Sequence, residues 1–236
     1  MNSQTDEIFN LARLDRARYL SVLTAPRSVR MALLTLLAFD LEIAKIPKMV
    51  SEPMIGRIRL QWWLDEMNKI TNGQSTAHPI AEHLGFLNFE KQKLINLIEA
   101  RNFEFETSPV TLKTLTDYAA DTGGALQLAM LDVLGVDHIE ARQAAADIGT
   151  AHVLIGFFYG DEIEETSLNK QAVQDQIESL LISARKPELP RYIRKKAMPA
   201  LVLARLLDRQ LQRGLMANEG PGAVMSVWWT KINKSY

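Results

Sequence analysis

Apolar residues recur along this chain at steps of three and four, and almost nowhere at steps of two. Val29, Leu33, Leu36, Leu37 and Ile43 fall on one stripe, and Leu94, Leu97 and Ile98 repeat the spacing with Arg101 in the next slot. No strand-like alternation persists, so the chain reads as all-α. Breakers set the segment ends: Ala25-Pro26, Pro47, Glu52-Pro53, Asn72-Gly73, His78-Pro79, Ser108-Pro109, Gly135, a polar stretch after Gly160, Pro187 to Pro190, and Glu219 to Gly222. They leave roughly nine or ten helices. Ser51 reads as an N-cap ahead of Glu52-Pro53, opening the helix that carries Trp62 and Trp63. No Gly/Ser-rich or Pro-rich linker divides the chain, so residues 1–236 read as one domain. Pro199 and Gly123-Gly124 interrupt helical stretches and predict kinks that either wrap a helix round the core or open a cavity.

Composition narrows the function classes. Hydrophobic residues make up 47% of 236 positions, enough for a large buried core. Lys plus Arg is 27 against 28 for Asp plus Glu, and a net charge of −1 supplies no field for nucleic acid. The absence of cysteine excludes thiolate metal sites and a cysteine nucleophile. The start MNSQTDEIF carries no basic leader, which points to the cytoplasm, and the uncharged run 148–160 is too short to span a bilayer. Phosphate-cradling glycine loops, H-E-x-x-H and G-x-S-x-G are all missing. His78, His83, His138 and His152 form no i, i+3 or i, i+4 pair that would present two imidazoles to one metal.

Four segments in order resemble the squalene/phytoene synthase family. Arg30-Met31-Ala32-Leu33 through Leu37-Ala38-Phe39 is similar to the helix leading into that family's first aspartate-rich motif. Ile58-Arg59-Leu60-Gln61-Trp62-Trp63, followed by His78-Pro79-Ile80, resembles its next helix and His-Pro turn. Ile148-Gly149-Thr150-Ala151-His152 resembles the start of its second aspartate-rich helix, and Ala197-Met198-Pro199-Ala200-Leu201 its late Ala-x-Pro-Ala helix. The resemblance implies an all-α isoprenoid-synthase bundle around a central cavity, and head-to-head condensation of prenyl diphosphates on Mg²⁺. Such a site needs two helices that each present carboxylates three or four residues apart, because magnesium bridges diphosphate oxygens to carboxylate oxygens.

The chain departs from that pattern. Aligning Ala38-Phe39 with the family's Ala-Phe puts the first motif's aspartates at Ala44, Lys45 and Lys48, and ammonium groups there repel Mg²⁺. Asp40 and Glu42 stand upstream but point in different directions on a helix. The second motif falls near Gly160 and Glu164, within the acidic run Asp161, Glu162, Glu164 and Glu165, which reads as a solvated loop or a migrated metal site. Asp117 and Asp121 share a helical face near the Gly-Gly break, with Asp132 beyond it. Asp40, Asp121, Asp161 and Glu164 are thus the candidate carboxylates, and Mg²⁺ is expected only if an active synthase site has been rearranged.

The segments 38–46 and 51–63 are similar to family members that act as assembly factors for respiratory complex I and lack the catalytic aspartates, and the tail from Trp228 suits the same subgroup. That resemblance implies a non-catalytic protein partnering complex I subunits or assembly intermediates, peripheral to the inner membrane, with the cavity left for an apolar or isoprenoid ligand. An active prenyl-diphosphate synthase and an apolar-ligand carrier are the alternatives. The strongest charge bias runs from Arg185 to Arg213 and includes Arg191, Arg194, Lys195 and Lys196. It suits a solvated face, an anionic membrane surface or an acidic partner. Trp62 and Trp63 read as core, whereas Trp228 and Trp229, beside Lys231 and Lys234, read as an interfacial anchor or as packing of the last helix.

Overall fold

The computed structural model describes residues 3–106, 108–160, 166, 168–214 and 223–227. Among them there is no strand, and the principal helices are α1 (Ser3–Ala12), α2 (Arg16–Val22), α3 (Arg27–Ala44), α4 (Pro53–Thr71), α5 (Pro79–Gly85), α6 (Gln92–Ala100), α7 (Leu112–Ala119), α8 (Ala125–Val133), α9 (Ile139–Tyr159), α10 (Lys170–Arg185), α11 (Arg191–Leu201) and α12 (Leu203–Arg213). Two of the extra boundaries have local causes. Asp15 accepts a hydrogen bond from the Arg18 backbone N–H at 2.9 Å, which caps α2 and separates it from α1. Pro199 lies inside α11 and offers no N–H to the carbonyl four residues back, and the chain breaks at Val202 before resuming as α12.

Two long helices organise the packing. α9 lies against α7, α8, α10, α11 and α12, and α3 lies against α1, α2, α5 and α8. From Leu33 to Asp40 every residue of α3 is buried, so its middle is enclosed on all sides rather than along one stripe. α4 turns Gly56, Leu60, Trp63 and Met67 inward, and Trp63 meets Phe39 edge-on with ring centroids 5.4 Å apart. Trp62, one residue and about 100° round the helix, is 44% exposed, which corrects its reading as core. Glu52, not Ser51, is the N-cap of α4, and Pro53 takes the first helical position.

The Gly-Gly interruption becomes a π-helical turn, Ala120–Gly124, between α7 and α8. Its cause is a backbone crossing: a Cβ on Gly123 would stand 2.2 Å from the Gly149 carbonyl oxygen, and one on Gly149 would stand 2.1 Å from that of Gly123. Only glycine at both positions lets α9 approach this closely. No helix among the described residues is long and apolar enough to cross a membrane.

Candidate functional site

A cavity of about 400 Å³ opens between the 3₁₀ turn that follows α3 and the last turn of α9. Pro47 and Lys48 enter from the 3₁₀ turn Pro47–Met49 behind α3, and Phe103, Glu104 and Glu106 from the 3₁₀ segment Arg101–Phe105 and the residue after it. Val110 comes from the loop before α7 and Leu115 from the first turn of that helix, Phe157 from the last turn of α9, and Thr166 and Leu168 from the connection to α10. Tyr118 backs the aromatic wall: it stacks on Phe103 at 4.9 Å between centroids and meets Phe157 edge-on at 5.9 Å. The lining is mostly apolar, with one cation and two carboxylates at its polar side.

Behind that wall a ladder of ion pairs crosses the bundle. His152 Nε2 on α9 stands 2.9 Å from Asp15 Oδ2, and Asp15 in turn lies 3.6 Å from Arg18 Nη1. Arg18 Nη1 donates to Asp40 Oδ2 at 2.9 Å, and Arg101 Nη2 donates to Asp40 Oδ1 at 2.9 Å. Arg101 Nη1 then donates to Glu104 Oε1 at 3.0 Å and to the Tyr118 hydroxyl oxygen at 2.6 Å, while that hydroxyl donates to Glu104 at 2.5 Å. Burial alone would raise the Asp15 carboxyl, but His152 and Arg18 outweigh it and hold it well below the usual carboxylate range. Burial likewise pulls against the Arg101 charge, and Tyr118, Asp40 and Glu104 overcome it, so the guanidinium stays protonated. Burial pushes the Tyr118 phenol well up, against the pull of Arg101, and it remains a donor at neutral pH.

A second, smaller cleft of about 220 Å³ lies beside α4, lined by Glu42, Lys45, Ile46, Met49, Arg59, Trp62, Trp63 and His78. Lys45 faces this cleft and pairs with Glu42. Burial holds the His78 imidazole below its ordinary value, against the pull of Glu42, Glu7 and Glu66.

A sequence model of squalene/phytoene synthases matches residues 11–158, more than half of the chain. The chain belongs to the squalene/phytoene synthase family. Its relatives include the NADH dehydrogenase (ubiquinone) complex I assembly factor 6 of Bos taurus and of Homo sapiens, each 29% identical over 150 residues, which is 61% of this chain and 45% of the relative. The chain therefore matches less than half the length of these curated relatives. Among solved structures, a dehydrosqualene synthase in complex with ligand superposes with a TM-score of 0.72 at 12% identity, covering 98% of this chain and 97% of the other. Squalene synthase HpnC from Alicyclobacillus acidocaldarius superposes with a TM-score of 0.67 at 17% identity, covering 89% and 94%. These likenesses establish the isoprenoid-synthase fold.

Against that family's metal chemistry the donor set does not fit. Of the first-motif positions, Ala44 carries no donor, Lys45 turns to the smaller cleft, and Lys48 lines the main cavity as a cation where a metal ligand is required. Asp40 lies on the ladder, 3% exposed, with each carboxylate oxygen taken by a guanidinium. Asp121 is exposed on the π turn and does not line the cavity, Asp117 is exposed and pairs with Lys113, and Asp132 pairs with Lys93 and Arg142. Among the described residues no three His, Asp or Glu converge as a metal site. Gly160 ends α9, and Asp161, Glu162, Glu164, Glu165, Trp228 and Trp229 lie outside the described residues.

In the basic stretch, Arg191 and Lys195 are exposed, Arg194 donates to the Leu189 carbonyl at 3.1 Å, and Lys196 donates to the Gly135 carbonyl at 2.5 Å. Two of these four cations thus hold their own fold. Sequence reasoning did not single out Arg18, Phe103, Glu104 or Tyr118, and it noted Arg101 only as a residue in step with an apolar stripe.

Proposed function

We propose that this chain supports the assembly of respiratory complex I without prenyl-transfer chemistry, working at a membrane surface and using the main cavity for an apolar, isoprenoid-like ligand. The observation that carries the reading is the fate of the metal-binding end of α3. Asp40 is committed to Arg18 and Arg101, and at the first-motif position that lines the main cavity stands Lys48, an ammonium group where the family's metal chemistry needs a carboxylate. Identity to relatives named complex I assembly factor 6 supports the partner class, namely complex I subunits or their assembly intermediates. The aromatic and aliphatic lining supports an apolar ligand, and no metal or other cofactor is required.

Affinity purification of the tagged chain from its native host, read by mass spectrometry, tests the partner. Complex I subunits or assembly intermediates are expected to co-purify. Recovery of isoprenoid-pathway enzymes in their place overturns the reading and favours a synthase with a rearranged metal site.

A further inference from the structure

The first three turns of α4 are apolar on the side turned to solvent as well as on the side turned to the core. Met54, Ile58 and Trp62 follow one another at steps of four and are 70%, 62% and 44% exposed, with Ile55 beside them and Met49 close by in the preceding 3₁₀ turn. Further along the same helix the outer face reverts to Asp65, Asn68 and Lys69, the pattern of a solvated surface. The anomaly is therefore confined to residues 54–62, and a contiguous exposed apolar row of this kind marks a contact surface.

Charge selects the contact. The segment from Pro53 to Trp62 contains Arg57 and Arg59 and no acidic residue. At 3.6 residues per turn these two arginines flank the apolar row on opposite sides. Arg57 is held in place by donating to the Phe105 carbonyl at 3.0 Å, and Arg59 stands at the lip of the smaller cleft, where Lys45 is paired with Glu42. A row of Trp, Ile and Met between guanidinium groups suits the boundary between anionic headgroups and acyl chains. The basic stretch on α11 likewise gives two of its four cations to backbone carbonyls, but it has no row of exposed Met, Ile and Trp beside them.

We propose that the outer face of α4, through Met54, Ile58 and Trp62 with Arg57 and Arg59, seats this chain on an anionic lipid bilayer. The inference rests on the membrane-surface part of the proposed function and assigns it a surface. The inner side of the same turns supports the cavity wall, since Gly56 fits against the Phe105 ring, where a Cβ would stand 2.1 Å from the nearest ring atom. Met49 also adjoins Lys48 of the cavity lining.

The test uses the full chain and vesicles of phosphatidylcholine with or without phosphatidylglycerol. Binding is expected only to the anionic vesicles and to weaken with salt. It should fall about tenfold or more in the Met54→Glu, Ile58→Glu double variant, and partly in Arg59→Glu, with melting temperatures unchanged. In a Trp228→Phe, Trp229→Phe background, brominated lipid should quench Trp62, because Trp63 is buried. Three results overturn the proposal: no vesicle binding by the unaltered chain, equal binding by the double variant, or a dimer in sedimentation that the double variant dissociates while vesicle binding persists. Co-purification of complex I subunits without vesicle binding sinks this inference and the membrane-surface part of the reading while leaving the complex I role standing, and vesicle binding through α4 without complex I subunits sinks the complex I role while leaving this inference standing.

Discussion

Asp40 and Arg101, 61 residues apart in sequence, meet inside the bundle at 2.9 Å, and Arg18 takes the other oxygen of the same carboxylate. Each of the three side chains is almost wholly buried. Removing the anion that the two guanidinium groups share breaks the middle of the ladder and leaves only Asp15 beside Arg18 and Glu104 beside Arg101, so Asp40→Ala is expected to lower stability by about 3–5 kcal/mol, and Arg101→Ala by a comparable amount. Urea unfolding followed by circular dichroism measures both. A carboxylate kept free for a metal would give the opposite sign, because relieving an unpaired buried charge stabilises the fold.

This pair shows how much of the site was legible in the sequence. Asp40 continues the stripe Leu33, Leu36, Leu37, and Arg101 continues Leu94, Leu97, Ile98, so an acid and a base each occupied a slot that periodicity assigns to the core. The helical class and both interruptions, at Gly123-Gly124 and Pro199, could also be read directly. Which buried charges pair was not legible, because that depends on how α2, α3, α7, α9 and the 3₁₀ segment Arg101–Phe105 come together rather than on spacing within any one helix. Trp62 was misplaced for the same reason: an apolar run reads as core on every side until the neighbour that covers it, or fails to, is known.

The Asp15 carboxyl makes stability depend on pH. Its value in the fold lies well below the ordinary carboxylate value of about 3.8, so the unfolded chain takes up the proton first as pH falls. The contribution is complete above that ordinary value and is lost as pH drops through the depressed one. Urea midpoints measured from neutral pH down into the acid range should therefore decline more steeply for the unaltered chain than for Asp15→Asn, which starts lower and falls less.

The crossing of α9 over the π turn gives a sharper steric prediction. Gly123→Ala and Gly149→Ala each force a methyl group against a backbone carbonyl that cannot rotate away, and each is expected to destabilise by about 1–3 kcal/mol or more. Gly156→Ala, in the same helix α9 with open space around its Cα, is expected to be neutral or to stabilise by up to about 1 kcal/mol. Thermal melts of the three variants separate backbone crowding from a general intolerance of α9 to substitution.

Ligand binding in the main cavity should be apolar and indifferent to metal. A fluorescent prenyl probe is expected to bind equally with magnesium and with EDTA, since Lys48 and not a carboxylate faces the cavity from the first-motif positions. Val110→Trp places an indole in the cavity volume and should weaken the probe about tenfold while changing stability by no more than about 1 kcal/mol. Magnesium-dependent, saturable binding of a prenyl diphosphate would show that carboxylates still assemble a metal site.

The most direct measurement is the amount of assembled complex I on native gels from the host lacking this chain, with and without re-expression. Loss of complex I on deletion is predicted, with full rescue both by the unaltered chain and by a variant carrying alanine at Asp121, Asp161 and Glu164. Normal complex I after deletion, accompanied by loss of an isoprenoid product that the alanine variant cannot restore, would contradict the account.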